Sequence, residues 1–214
     1  MRDFVFADAV YIASMAWVTL QLALVAFVFG LLGGTLLAVA RSSRFLVPRV
    51  AAMIYVRVFQ GTPLLIQILT AFFAPSFLLG IDVGGWTAAV VALSLNATAY
   101  AGEIIRGCLE AIPKGQTEAS SALGLGYFDR MRDVVVPQAL RIAIPPLIGL
   151  AVQIVKGTSL ASVVSLVELT KAASRINSVT FEPVPTFAVV SAIYFLICWP
   201  LSLAGRTLEA RLAK

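Results

Sequence analysis

The chain has 214 residues, of which 60% are hydrophobic and 13% are charged, whereas a soluble domain is usually about 45–50% apolar and about 25% charged. Its mean hydropathy of +0.95 implies more apolar side chains than one core can bury, so the excess must face lipid. The net charge of +5 would suggest a nucleic-acid partner only in a soluble protein, and we expect none here. Because histidine is absent, the commonest general base and metal ligand is missing, and we expect neither catalytic residues nor a metal site.

Five long stretches with almost no charge predict five membrane-spanning helices. About 20 apolar residues cross the hydrocarbon core, and an ionised side chain is costly near its centre. The predicted spans cover about residues 14–40, 52–76, 83–106, 142–166 and 184–205. The fourth stretch is uncharged apart from a single residue, Lys156. The chain is therefore expected to be an all-α membrane protein, with residues 1–214 forming a single transmembrane domain.

Lysine and arginine are divided unequally between the two ends of these predicted helices. When the helices alternate in direction, eleven basic residues fall on one side and three on the other. Because cytoplasmic loops carry the excess of basic residues, we expect a periplasmic N-terminus and a cytoplasmic C-terminus. The first span also resembles a signal peptide that ends at Ala38–Ala40, but its apolar stretch is more than twice the usual length.

The longest connection, about residues 107–140, lies on the predicted cytoplasmic side and keeps a helical apolar pattern. Pro113 is suited to begin a short helix there, and Gly124 or Gly126 is suited to end it in a left-handed turn. The loop is therefore predicted to contain a short amphipathic helical hairpin.

Two aromatic residues, Tyr127 and Phe128, follow this predicted turn directly. Large apolar side chains at the tip of a cytosolic loop favour the docking of a partner protein. The alternative is a helix that lies on lipid headgroups, which would prefer a more basic polar face than Glu118 and Asp129 provide.

A signature in this loop resembles that of the permease subunits of ATP-binding cassette importers. Glu118-Ala119-Ser120, then Gly124, then Val134–Pro137 follow the pattern Glu-Ala-Ala-x3-Gly-x9-Ile-x-Leu-Pro, with conservative replacements. Further fragments resemble, in order, the polar amino-acid permeases of the histidine, arginine, glutamine and glutamate type. These fragments are Gly61–Gln67, Ala99–Gly107, Ala111–Gln116, Pro137–Arg141, Lys156–Leu160 and Leu208–Glu209.

The resemblance implies a type I importer permease bundle in the bacterial inner membrane. It implies two ATPase subunits, a second permease subunit in a homodimer or heterodimer, and a periplasmic solute-binding protein as partners. ATP and Mg²⁺ would then bind to the ATPase, and this chain would hold no cofactor. The sequence agrees, because it contains no Gly-Lys dipeptide and therefore no phosphate-binding Gly-x4-Gly-Lys loop.

The resemblance also implies that residues 118–128 form a coupling helix, which sits in a groove of the ATPase and transmits its closure to the membrane. Gly124 would be the position where a side chain obstructs docking, and a role as a plain helix terminus is compatible with this. The residues expected to carry coupling are Glu118, Ala119, Ser120, Gly124, Leu125, Tyr127, Phe128 and Pro137.

Few polar residues within the predicted spans are available to line a substrate path. Lys156 lies 14 residues into its predicted span, roughly 21 Å at about 1.5 Å per residue, and such a charge normally faces the bundle interior or water. Together with Thr158 and Ser159 it is placed to receive a carboxylate. The alternative is an ion pair between Lys156 and Glu103, or across a subunit interface, without a ligand role.

The sequence Gly61-Thr62-Pro63 should interrupt its helix and free backbone groups to hold a polar substrate. Gln60 stands where the family usually has arginine, and Gly157 stands where it usually has aspartate. The second departure argues against a cationic substrate and fits the less engaged half of a heterodimer.

Two other function classes fit the sequence less well. A stand-alone ion-coupled transporter would need membrane carboxylates, for which Glu103 is the only deep candidate, and usually two repeated halves, which are absent. A membrane enzyme is disfavoured by the missing histidine and by the lack of clustered carboxylates. Glu168 and Lys171 are expected to line the outer mouth of the path, to meet the binding protein, or to be solvated loop charges.

Overall fold

A computed structural model describes residues 2–212, and no strand occurs in that range. The all-α prediction is therefore confirmed. The helices are α1 (Phe6–Ser14), α2 (Ala16–Arg41), α3 (Leu46–Gly61), α4 (Leu64–Leu79), α5 (Gly85–Glu110), α6 (Lys114–Ala122), α7 (Tyr127–Arg130), α8 (Val136–Gly157), α9 (Leu169–Thr180) and α10 (Pro183–Leu212). A π-helical turn, Met131–Val135, joins α7 to α8, and a 3₁₀ segment, Thr158–Val164, follows α8.

Four helical runs are long and apolar enough to cross a membrane: Phe6–Arg41, Gly85–Glu110, Tyr127–Val164 and Pro183–Leu212. They overlap with four of the five predicted spans, and the third run starts well before the predicted residue 142. The predicted span over residues 52–76 differs in form, because α3 and α4 are bent by 105° at their junction. The count of five holds when this bent pair is taken as one span.

The closest packing joins α2 to α5. A Cβ added at Gly34 would lie 2.6 Å from the Cβ of Ala101, and one added at Gly30 would overlap Ala97. Small residues let two backbones approach closely, which is the main way that helices attract one another in lipid. The side chains at this contact, including Ala26, are fully or almost fully buried.

The rest of the core forms where α5, α8 and α10 meet. Leu93, Leu150, Ile154 and Cys198 belong to one buried cluster. A second cluster, around Ile12, Leu169, Ala173 and Val190, holds α1 and α9 against the N-terminal part of α10. The large apolar side chains on the outside of the long helices are exposed, which suits a surface covered by lipid.

Candidate functional site

The loop predicted to couple the chain to a partner is a compact helical hairpin, made of α6 and α7. Leu123 follows the last turn of α6, and Gly124 takes a left-handed conformation with φ of +79°. The N–H of Leu125 donates to the carbonyl of Ser120 at 3.1 Å, and the N–H of Gly124 donates to the carbonyl of Ser121 at 3.0 Å. This pair of bonds is the Schellman motif, which ends helices at a glycine. The predicted role of Gly124 as a helix terminus is confirmed.

Side-chain contacts then hold α7 against α6. The Nη1 atom of Arg130 donates to Oγ of Ser121 at 2.7 Å, and its guanidinium lies 5.8 Å from the centroid of the Tyr127 ring. The Tyr127 and Phe128 rings pack edge to face at 5.6 Å. These contacts give the tip a defined shape rather than that of a flexible loop.

The tip presents an apolar surface that nothing in residues 2–212 covers. Leu123 is 81% exposed, Tyr127 61% and Phe128 83%. Beside the aromatic pair lies a cavity of about 900 Å³ between the hairpin and the C-terminal end of α2, lined in part by Ser43, Arg44 and Thr117.

The hairpin is joined to the membrane helix without a flexible linker. The chain runs from α7 through the π-helical turn into α8, so that residues from Tyr127 to Val164 form one helical run. Val135 and Ala139 pack on Ile112, which precedes α6. Displacement of the hairpin should therefore displace α8, because no loop between them can absorb the motion.

The other residues predicted for coupling are distributed around this hairpin. Glu118 and Ala119 are exposed on α6, whereas Ser120 is buried, with its Oγ donating to the carbonyl of Thr117 at 2.9 Å. Leu125 is half-buried in the turn. Pro137 is exposed in the first turn of α8, directly after the π-helical turn of the same helical run.

The predicted break at Gly61 and Thr62 is present, but its free carbonyl groups are already engaged. Nε2 of Gln67 donates to the carbonyls of Phe59 at 2.8 Å and Thr62 at 3.0 Å. Nδ2 of Asn96, on α5, donates to the same Phe59 carbonyl at 3.3 Å and to Oε1 of Gln67 at 3.1 Å. Sequence reasoning missed both amides, although Gln67 lies in a fragment that carried the family resemblance.

Glu103 pairs with arginines and not with Lys156, the partner considered as an alternative in the sequence analysis. Its carboxylate contacts Arg41 at 3.5 Å and accepts a hydrogen bond from Nε of Arg106 at 3.0 Å. Arg106 also pairs with Glu110 at 2.5 Å. The Glu103–Lys156 ion pair is therefore not formed.

Lys156 lies on the other side of the bundle, exposed in a groove between α8 and α10. The groove is a cavity of about 330 Å³ that Tyr194, Trp199 and Arg206 also line. Thr158 is fully buried, and its hydroxyl donates to the carbonyl of Val155 at 2.7 Å. The hydroxyl of Ser159 donates to the Lys156 carbonyl at 2.7 Å. The six predicted path residues are thus not brought together: Gly61 and Thr62 lie at the α3–α4 break, Glu103 in its ion-pair cluster, Lys156 in this groove, and Thr158 and Ser159 in the 3₁₀ segment after α8.

Glu168 is neither at an open mouth nor solvated, so that expectation was wrong. It is fully buried before α9, where its carboxylate accepts from the N–H of Thr170 at 2.9 Å and of Lys171 at 2.8 Å. The hydroxyl of Tyr194 donates to it at 3.3 Å. Burial raises the pKa of Glu168, although these hydrogen bonds oppose the shift.

Comparison with known proteins identifies the family. Residues 30–214 match the model of the family described as "Binding-protein-dependent transport system inner membrane component". The L-cystine transport system permease protein TcyB of Bacillus subtilis (strain 168) is 37% identical over 91% of this chain and 83% of its own length. The arginine transport system permease protein ArtQ of the same organism is 33% identical over 91% of this chain and 89% of its own length.

Solved structures show the same fold. A crystal structure of an amino acid ABC transporter with histidines has a TM-score of 0.90 at 31% identity and covers 98% of this chain and 100% of that chain. An inward-facing MetNI methionine ABC transporter has a TM-score of 0.74 at 22% identity, with 91% and 93% covered. The family match removes the ion-coupled alternative. The chain belongs to the binding-protein-dependent transport system inner membrane components, the permease subunits of ATP-binding cassette importers, whose ATP hydrolysis is carried out by a separate subunit.

Proposed function

We propose that this permease subunit moves polar amino acids from the periplasm to the cytoplasm by alternating access, driven by an ATPase into which the α6–α7 hairpin docks. The observation that carries the proposal is the helical run from Tyr127 to Val164, which connects the exposed tip to the membrane bundle without a loop. Closure of the ATPase would tilt α8 through this connection. We also propose that the N-terminus lies in the periplasm and the hairpin in the cytoplasm, because the distribution of basic residues favours this orientation.

The partners we propose are two ATPase subunits that bind ATP and Mg²⁺, a second permease subunit and a periplasmic solute-binding protein. The membrane is the bacterial inner membrane. The relatives named for cystine and arginine transport support an amino-acid solute. They differ in the amino acid carried, so we propose the class of solute and not one member.

For the substrate path we propose the α3–α4 break at Gly61 and Thr62, the α8–α10 groove with Lys156, and Ser159 in the 3₁₀ segment that follows α8. The break is exposed, and the groove combines the cations of Lys156 and Arg206 with the ring of Trp199. We propose that Thr158 and Glu103 have a structural role beside this path. The Thr158 hydroxyl bonds to the last turn of α8, and the Glu103 carboxylate pairs with Arg41 and Arg106.

The test is transport by the complete complex. The chain would be coexpressed with the ATPase, the second permease and the binding protein from adjacent reading frames, and reconstituted in proteoliposomes. Uptake of radiolabelled L-arginine, L-glutamine and L-cystine is expected only when ATP is present on the ATPase side of the membrane and the binding protein on the opposite side. Uptake by this chain without the ATPase, or ATPase activity that the loaded binding protein does not stimulate, would contradict the proposal.

A further inference from the structure

Arg57 carries a charge that the site described above does not use. It is exposed on α3, eleven residues after Leu46, roughly 16 Å along the helix at about 1.5 Å per residue. It lies one turn before the 105° break between α3 and α4. Within residues 2–212 no carboxylate lies within 4.0 Å of its guanidinium.

A guanidinium at this depth is costly if it faces lipid, and charged residues within spans almost always face a bundle interior, a water-filled cavity or a partner charge. The surroundings of Arg57 favour the water-filled path. Gln60, one turn later on the same side of α3, reaches the Ala99 carbonyl at 3.5 Å. Met53 and Arg49, one and two turns earlier on that side, line a cavity of about 350 Å³ beside α5.

We name the side of α3 formed by Arg49, Met53, Arg57 and Gln60 the α3 stripe. Their spacing of four, four and three residues puts them on one side of the helix. The aromatic rings of Tyr55 and Phe59 occupy the other side, with centroids 4.5 Å apart. The stripe thus runs from the α3–α4 break to the end of the bundle that holds the hairpin.

Arg41 and Arg106, the cations of α2 and α5 next to the stripe, have carboxylate partners, whereas Arg57 and Arg49 have none among residues 2–212. Glu103 pairs with Arg41 and Arg106, and Glu110 pairs with Arg106 again. At the break itself, the amides of Gln67 and Asn96 are committed to backbone carbonyls. Arg57 is therefore the uncommitted donor group nearest to the break on this side of α3.

We propose that the guanidinium of Arg57 binds the carboxylate of the solute as it passes along the α3 stripe. A planar guanidinium offers two parallel N–H donors to a carboxylate, which makes this pairing strong and directional. The inference rests on the proposed function and deepens it: the solute must carry a carboxylate that Arg57 recognises. Because every amino acid has an α-carboxylate, Arg57 would serve the whole class rather than select among its side chains.

The test uses the reconstituted complex with radiolabelled L-arginine, L-glutamine and L-cystine as probes. Arg57→Gln should reduce uptake of the transported probe at least tenfold, while copurification of all subunits and ATPase stimulation by the loaded binding protein stay at the wild-type level. The double variant Arg57→Gln with Gln60→Arg, which moves the guanidinium one turn along the same stripe, should recover part of the loss. Arg175→Gln, on an exposed arginine of α9 outside the stripe, should transport like the wild type.

Three results would overturn the inference. Wild-type uptake by Arg57→Gln would show that no solute carboxylate needs this charge. Loss of the second permease subunit from the purified Arg57→Gln complex would show that Arg57 pairs with a carboxylate across the subunit interface. Absence of uptake by the wild-type complex would contradict both the proposed function and this inference. Uptake by the wild-type complex that Arg57→Gln leaves unchanged would contradict the inference alone.

Discussion

Arg130 and Ser121 join the two helices of the hairpin, with Nη1 of Arg130 donating to the Ser121 hydroxyl at 2.7 Å. Because Arg130 also lies over the Tyr127 ring, one side chain contacts both α6 and the exposed aromatic tip. Coupling needs a stiff tip, since a flexible one would move without displacing α8.

We expect Arg130→Ala to loosen the hairpin by roughly 1 kcal/mol and to lower solute uptake per ATP hydrolysed in proteoliposomes, with the complex still assembled. Arg132→Ala is the matched control, because Arg132 is exposed and its guanidinium pairs with its neighbour Asp133 at 3.7 Å rather than with α6 or the aromatic tip. Equal transport stoichiometry in both variants would show that the Arg130 contact does not serve coupling.

Substitution of Gly124 separates its role as the terminus of α6 from its proposed role as a point of close contact with the ATPase. A Cβ at this position would meet nothing within 4 Å among residues 2–212, so the cost there is only that of the left-handed conformation, about 1–2 kcal/mol for alanine and less for asparagine. If the ATPase lies close against Gly124, Gly124→Ala and Gly124→Asn should both reduce ATPase copurification. Recovery of binding in Gly124→Asn would instead show that the residue matters only for the turn.

Gln67 should stabilise the bend between α3 and α4. Gln67→Leu keeps the approximate size of the side chain but leaves the Thr62 carbonyl without its amide donor, and it removes one of two donors to Phe59. We expect a loss of about 1–3 kcal/mol in stability, measured by thermal unfolding in detergent. Gln153→Leu, on the exposed side of α8, is the control and should unfold near the wild-type temperature.

Glu168 should make stability depend on pH. Burial raises its pKa in the folded chain, so the folded state binds a proton more readily than the unfolded state. Its contribution is therefore fully present below the unfolded pKa and is lost as pH rises through the raised folded pKa. Unfolding of wild type and Glu168→Gln across this window should show a slope in the wild type that the variant lacks. An identical slope in both would contradict the assignment.

The sequence predicted the helical hairpin because its signals are local: Pro113 precedes α6, and Gly124 ends it. The number of spans followed from apolar length, and Gly61-Thr62-Pro63 predicted the break between α3 and α4, but neither signal carries information on direction, so the 105° angle was not predicted. Arg41, one partner of Glu103, and the partners of Asn96 come from helices that are distant in sequence, and spacing along one chain cannot identify such contacts. Glu168 was misjudged for the same reason, since α10 buries it.

The central claim is that the hairpin tip contacts the ATPase from the cytoplasm. The direct measurement is site-specific crosslinking from Phe128→Cys in assembled complexes, with Phe77→Cys, an equally exposed position near the far end of α4, as the control. The two native cysteines are buried, so background reaction should be low. We predict a crosslink to the ATPase from residue 128 and none from residue 77. Labelling of residue 128 only by reagents added outside the cell, with no crosslink to the ATPase, would contradict the claim.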